Sequence, residues 1–185
     1  MKSSTLQKAF FILSLTATNS FAEDNKLFEQ ANAAIKSGNC DAGIQILSEL
    51  SSRNVPGALI NLGNIYATGS CGEQDFGRAD SLYKAAAALD VPIGHYQYGL
   101  LHFGDQSYDQ DYDLVFKHWS RAFNQGMPIH YELSILYYKG LGTSKNPEKA
   151  ESLLIEASSL GDEHARDLLN SFYQDKGGPL YKPKQ

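Results

Sequence analysis

Hydrophobic residues recur along this chain at the spacing of short helices that each bury one face. Between residues 58 and 160, apolar side chains return three and four positions apart within short runs, and polar or glycine-rich segments separate the runs. A period of about 3.6 residues is typical of an amphipathic helix. The pattern predicts first helices over roughly 58–68, 94–103 and 129–139, and second helices over roughly 76–89, 112–125 and 147–160.

The predicted helices form pairs that repeat with a period of about 36 residues. The same or similar residues return at this step, in the pairs Gly63 and Gly99, Asp75 and Asp111, Tyr83 and Trp119, and Ala86 and Ala122. A period in this range indicates stacked helix pairs. We therefore divide this part of the chain into repeats at 58–93, 94–129 and 130–164, of which the last is one residue shorter near its start.

Residues with capping chemistry stand at both ends of each predicted second helix. The positions before these helices hold side chains that accept hydrogen bonds from free N–H groups of a first turn, namely Asp75, Asp111 and Asn146. The positions after them, where a chain usually turns left-handed, hold Asp90, Gly126 and Gly161.

Weaker signals flank the three repeats. Residues 23–57 contain a helix, a Gly-Asn break and a second helix, but they lack the Leu-Gly and tyrosine positions, so we interpret them as an N-terminal capping repeat. Residues 165–174 predict a C-terminal capping helix. Residues 175–185 are rich in Gly, Pro and Lys and predict a flexible tail.

The third repeat carries the most complete set of recurring residues: Leu133-Ser134, Tyr137, Gly140, Gly142, Asn146-Pro147, Lys149-Ala150, Ala157, Gly161 and Ala165. This set resembles the Sel1-like repeat, a relative of the tetratricopeptide repeat. The resemblance implies an all-α protein, a right-handed α-solenoid of stacked helix-turn-helix repeats. It also implies a protein-interaction scaffold, since members of this family act mainly by binding other proteins. We expect a monomer without catalysis and without a cofactor.

The middle repeat departs from this pattern in three places. His102 stands where the family has tyrosine, Asp105 replaces the first loop glycine, and Val115 replaces the alanine. We expect these changes to alter the loop between the two helices and not the fold.

The first 22 residues have the features of a secretory signal peptide. Lys2 and Lys8 precede the apolar run 9–15, and Ser20-Phe21-Ala22 gives a cleavage pattern after Ala22. The run is far shorter than the roughly 20 residues that a membrane-spanning helix needs. These features predict a chain that is exported to the periplasm, or secreted, and that does not span the membrane.

The charge of the chain argues against nucleic acid as a partner. The formal net charge is −5, and removal of residues 1–22 would take away two of the 16 basic side chains and none of the 21 acidic ones. Binding to phosphate groups requires cationic side chains on one surface. We therefore expect a protein partner and no nucleic acid.

Catalytic and metal-binding signals are weak. Ser81-x-x-Lys84 matches one motif of penicillin-recognising enzymes, but the companion Lys-Thr-Gly and Ser-Asp-Asn motifs do not follow it. A cysteine-rich subgroup of the resembled family is linked to β-lactam binding or hydrolysis, so such an enzyme remains an alternative. The histidines lack metal-ligand spacing and predict no metal site; they are His95, His102, His118, His130 and His164.

The two cysteines of the chain predict a disulfide. A cysteine pair in an exported protein is more often bonded than free. Cys40 falls at the break of the capping repeat and Cys71 in the loop of the next repeat, and adjacent repeats place such loops at the same edge. We predict a Cys40–Cys71 disulfide, with two buried free thiols as the alternative.

Aromatic residues crowd into 96–138 and divide into two groups. Those at repeat-core positions are assigned to the core: Tyr98, Tyr112, Phe116, Trp119 and Tyr137. Others fall on the first helices, which commonly line the concave surface of such superhelices, where exposed aromatic side chains act as binding anchors. The candidate partner-binding residues are Asn64, Tyr96, Phe103, Tyr131, Tyr138 and Lys139.

These observations together predict an exported adaptor that binds another protein on its concave surface. An immunity protein that neutralises a toxin delivered into the periplasm is the alternative within the same class. The β-lactam enzyme is the alternative from a different class.

Overall fold

The computed structural model describes residues 21–104 and 108–175. All regular structure in these ranges is α-helical, as predicted. The helices are α1 (21–36), α2 (Cys40–Ser52), α3 (Pro56–Thr68), α4 (Phe76–Ala88), α5 (Pro92–Leu101), α6 (Tyr112–Asn124), α7 (His130–Lys139), α8 (Pro147–Ser159) and α9 (Glu163–Asp175). The apolar run of the signal peptide, Asp105 and the tail from residue 176 lie outside the described residues.

The chain divides into two compact units, and the boundary falls inside α4, between Leu82 and Tyr83. The first unit has a core centred on α2 and α3. Its fully buried side chains include Leu47 and Leu50 from α2 and Ala58 from α3, and Phe28 of α1 packs against them. Leu47 and Leu50 lie three positions apart on α2, as a single buried face requires.

Hydrophobic side chains of the second unit cluster around Trp119 and between α8 and α9. The larger cluster surrounds Trp119 of α6, which is 1% exposed, and includes Leu133 and Leu136 of α7 and Leu153 of α8. The smaller cluster joins α8 to α9 through Leu154, Ala157, Ala165 and Leu169. The small residues Ala157 and Ala165 let the two helices approach closely, and the leucines fill the remaining space.

The three second helices begin with the same hydrogen bond. The side chains of Asp75, Asp111 and Asn146 each accept from the backbone N–H three residues later, at 2.9 Å in every case. These N-caps are those that the sequence predicts. A further cap occurs at α9, where the Asp162 side chain accepts from the backbone N–H of Ala165 at 3.0 Å.

The predicted left-handed residues follow the second helices. Asp90, Gly126 and Gly161 have φ angles of 56°, 90° and 94°. Asn54, which follows α2, has a φ of 57° and gives the N-terminal pair the same ending. Asparagine and aspartate tolerate this conformation better than other residues that carry a side chain beyond Cβ, which explains their presence here.

A disulfide joins Cys40 and Cys71, as predicted, with their Cα atoms 5.5 Å apart. Cys40 is the first residue of α2, and Cys71 lies in the loop between α3 and α4. The bond therefore links the N-terminal helix pair covalently to the loop of the following pair, within the first unit.

Candidate partner-binding surface

The second unit is organised around a close contact between α5 and α6. The indole Nε1 of Trp119 donates a hydrogen bond to the backbone carbonyl of Tyr96 at 3.1 Å. Gly99 faces the same indole, and a Cβ at this position would lie 2.6 Å from its Cδ1 and Nε1 atoms. Only glycine leaves room for the indole here, which gives a packing reason for Gly99.

Tyr96 lies at the edge of this contact and faces α7. Its ring stacks on Trp119 with ring centroids 5.8 Å apart and planes inclined by 20°. Its hydroxyl group lies 3.5 Å from Oε1 of Glu132. Burial and the neighbouring Glu132 carboxylate raise the pKa of Tyr96, so its phenol stays protonated. Tyr96 is half-buried and held in place by the indole beneath it.

Two other predicted anchors take part in packing. The ring of Phe103 lies 4.9 Å from Trp119 and 6.1 Å from Tyr112, between centroids. Tyr131 packs against the cluster between α8 and α9, and its ring centroid is 6.2 Å from that of His164. Both side chains are partly buried and contribute to the hydrophobic clusters, so they are weaker candidates for contact with a partner.

Tyr138 and Lys139 lie at the exposed C-terminal end of α7. Tyr138 is 36% exposed, and the ammonium group of Lys145 lies 5.6 Å from the centroid of its ring, within the range of a cation–π contact. Lys139 is exposed. Asn64 is half-buried on α3 and belongs to the first unit. The other five predicted residues belong to the second unit.

Exposed apolar side chains that the sequence interpretation missed lie on α5. Ile93 and Leu100 are 40% and 43% exposed. They are seven residues apart, which places them on one side of the helix, with Tyr96 one turn after Ile93 on the same side. The repeat pattern could not predict this exposure. Ile129 occupies the equivalent repeat position and is only 4% exposed, so the position alone does not decide burial.

A polar network occupies the junction of α4, α5 and α6. The carboxylate of Asp90 accepts two hydrogen bonds from the Arg121 guanidinium, with 2.8 Å between Nε and Oδ1, and a third from His95 Nε2 at 2.9 Å. Gln125 Nε2 donates to the backbone carbonyl of Asp90 at 2.9 Å. Arg121 and His95 together hold the pKa of Asp90 well below its ordinary range.

The same network orients a histidine pair. The Nδ1 atoms of His95 and His118 are 2.9 Å apart. His95 Nε2 faces the Asp90 carboxylate and therefore donates to it, and one of the two Nδ1 atoms donates a hydrogen bond to the other. Burial, followed by the nearby His95, Lys117 and His102, lowers the pKa of His118 to about 4. The imidazole of His118 is therefore neutral near pH 7.

The described residues offer little for metal or nucleophilic chemistry. In residues 21–104 and 108–175, no group of three or more His, Cys, Asp or Glu side chains is arranged to hold a metal ion. The hydroxyl of Ser81 is exposed and donates to the backbone carbonyl of Gly77 at 3.1 Å. Over the same ranges, each helix is too short or too polar to cross a bilayer.

Comparison with known proteins identifies a repeat family. The family model described as Sel1 repeat matches residues 56–91, 92–127 and 130–162. Among curated proteins, the chain is 28% identical over 118 residues to DAP3-binding cell death enhancer 1 of Mus musculus. That alignment spans 63% of this chain and 23% of the mouse protein, so the chain corresponds to less than a quarter of that relative.

Two solved structures share the fold. A Sel1 repeat protein from Oxalobacter formigenes aligns with a TM-score of 0.70 at 19% identity, covering 86% of this chain and 67% of that chain. The protein c5321, a protective antigen of uropathogenic Escherichia coli strains with an SLR fold, aligns with a TM-score of 0.73 at 20% identity, covering 88% of this chain and 36% of that one. These similarities confirm the predicted all-α solenoid class.

Proposed function

This chain belongs to the Sel1 repeat family, a family of protein-interaction scaffolds, and from that premise we propose that it is an exported adaptor that binds a partner protein along α5 and α7. The observation that carries the proposal is the exposed apolar side of α5, formed by Ile93 and Leu100 beside the Tyr96–Glu132 contact. Exposed apolar and aromatic side chains on a rigid helix are typical of binding hot spots.

The rigidity of this surface supports the proposal. Tyr96 rests on Trp119, and the Trp119 indole is itself fixed by the hydrogen bond to the α5 backbone. A side chain that is already ordered loses little conformational entropy when a partner covers it. The exposed end of α7, with Tyr138 and Lys139, extends the proposed surface along the next first helix.

The proposal of export is supported by the first 22 residues of the sequence. Their basic start, short apolar run and Ser20-Phe21-Ala22 pattern are those of a cleaved signal peptide. The disulfide fits the same proposal, because disulfides persist in oxidising compartments.

A photo-crosslinking experiment in cells tests the binding surface. A photoreactive amino acid is placed at Leu100, and at Ile155 of α8 as a control of similar exposure, 37% against 43%. We expect a defined crosslinked product from Leu100 and none from Ile155. Equal products from both positions, or none from Leu100, would contradict the proposed surface.

N-terminal sequencing of the mature protein tests export independently, with Glu23 as the expected first residue.

A further inference from the structure

Resting on the proposed binding function, we propose that the partner places a lysine or arginine side chain on Glu132, between α5 and α7. Glu132 is half-buried on α7, and its side chain meets the Tyr96 hydroxyl at 3.5 Å, the outer limit of a hydrogen bond. His130, the nearest basic residue along the helix, lies 3.3 Å from Glu156 instead. Among the described residues, Glu132 forms no salt bridge.

The surroundings of Glu132 leave its negative charge poorly compensated. Burial has the largest effect and raises the pKa of Glu132, and the negative charge of Asp162 raises it further; a backbone hydrogen bond, the Tyr96 hydroxyl and His130 lower it but offset burial only in part. A partly desolvated carboxylate without a salt bridge is costly, and a cation supplied by a partner reduces that cost on binding. In the free protein, the Glu132 carboxylate is therefore a site that a positively charged side chain of a partner would complement.

The side chains near Glu132 suit the methylene groups of a lysine or arginine as well as its charge. The Tyr96 hydroxyl lies beside the carboxylate, and the part of the ring that does not stack on Trp119 would offer an apolar surface to the methylene stem of a lysine or arginine and a cation–π partner to its charge. Ile93 and Leu100 lie on the same side of α5 and are available to apolar residues of the same partner segment. The expected partner segment thus combines a basic residue with apolar neighbours.

The charges on α7 also give the segment a direction. Lys139 is seven residues after Glu132, so it lies on the same side of the helix, about 10 Å further along its axis. If the basic residue of the segment pairs with Glu132, an acidic residue of the same segment, about 10 Å away in the direction of Lys139, would pair with Lys139. A second copy of this chain is a poor occupant, since the chain carries a formal net charge of −5 and like charges repel across an interface.

Selection from a displayed library of random dodecapeptides on the purified protein tests this inference. We expect the selected peptides to share one lysine or arginine position flanked by apolar residues. Their affinity should fall about ten-fold or more in Glu132→Gln, because the buried charge pair is lost. In the matched control Glu148→Gln, an exposed residue in the first turn of α8, affinity should change less than about two-fold.

The outcomes separate this inference from the function on which it rests. Peptides without a shared basic position, no selected peptides, or equal losses in both variants would overturn the role of Glu132. Association of two copies, seen as a dimer in sedimentation, would also overturn it if Glu132→Gln leaves the dimer intact. Crosslinking at Leu100 reports on the binding surface regardless of these results, so its failure alone would count against the proposed function. Thermal unfolding of each variant shows that folding is retained.

Discussion

The guanidinium of Arg121 in α6 donates two hydrogen bonds to the carboxylate of Asp90, the residue with a left-handed backbone conformation that follows α4. Bidentate pairs of this kind are stronger and more directional than a single contact. One residue therefore performs two tasks: its backbone turns the chain out of a helix, and its side chain fixes the following helices α5 and α6 through His95 and Arg121.

Substitution at Asp90 should separate these two tasks. Asp90→Asn keeps a residue that tolerates positive φ but removes the charge, so we expect a lower thermal midpoint, because Arg121 and His95 lose their anionic acceptor. Circular dichroism during heating measures the change. Asp167→Asn, at an exposed position of α9, is the control and should leave the midpoint nearly unchanged. Equal midpoints for the two variants would contradict the role of the network.

The histidine pair should make stability depend on pH. The ordinary pKa of histidine is 6.5, and the pKa of His118 in the folded protein is about 4. Between these values the unfolded chain binds more protons than the folded protein, so the free energy of unfolding decreases as the pH falls from 6.5 to 4. The lowered pKa of Asp90 adds stability that is lost only at still lower pH, as that carboxylate becomes protonated.

Urea unfolding at a series of pH values measures this dependence. His118→Asn removes the titrating group while retaining a side-chain hydrogen-bond partner for His95, and it should flatten the profile between pH 6.5 and 4. His164→Gln, at an exposed position, should leave the profile steep. A wild-type profile that stays flat in this window would show that protonation of His118 is not linked to folding.

The contact between Gly99 and Trp119 should tolerate no added atom. We expect Gly99→Ala to cost about 1–3 kcal/mol of unfolding free energy, because the new Cβ would lie 2.6 Å from indole atoms. The phenyl ring of Trp119→Phe is smaller than the indole and lacks its Nε1 atom, so the double variant should lose less stability than the sum of the two single variants. Strict additivity in chemical denaturation would argue that the indole does not limit this position.

The Cys40–Cys71 disulfide should stabilise the first unit. The two cysteines are 31 residues apart, and closing a loop of this size contributes about 3–4 kcal/mol in the chain-entropy model. We expect the Cys40→Ser, Cys71→Ser double variant to unfold at a lower urea concentration than the oxidised protein, and to be insensitive to reductant. The intact mass after alkylation, measured with and without prior reduction, checks the bond directly. Equal masses in the two measurements would exclude the disulfide.

The β-lactam alternative predicts acylation of Ser81. The side chain of Ser81 is exposed and hydrogen-bonded to its own helix, and the companion motifs of penicillin-recognising enzymes are absent from the sequence. We expect no covalent labelling of the purified protein by a fluorescent penicillin. Labelling that disappears in Ser81→Ala would instead establish the alternative.

Local chemistry explains why the repeat ends were predictable. A side chain at the start of a helix and a left-handed residue at its end act within a few positions of the chain, so Asp111 and Gly126 could be assigned from sequence alone. The network around Asp90 was not predictable in the same way. It depends on which turns of α5 and α6 face that residue, and the residues around Asp90 in the sequence do not indicate this.

The exposure of aromatic and apolar residues was equally inaccessible to the sequence. Ile93 and Ile129 occupy equivalent repeat positions, yet α5 begins at Pro92 and α7 at His130. Ile93 is therefore the second residue of its helix and is exposed, whereas Ile129 precedes its helix and is buried. Phe103 likewise looks similar to Tyr138 in the sequence, but its ring contacts Trp119, while Tyr138 remains accessible.

The capping residues of the second helices also bear on how such a chain can change in length. Each of these helices carries its own starting signal, such as the Asp111 cap, and its own terminating residue, such as Gly126. Duplication or excision of one whole period therefore leaves every remaining helix with both of its signals. An insertion of any other length inside a helix would rotate the residues beyond it away from their buried face. Modular recombination in steps of one repeat is the route of variation that this architecture tolerates best.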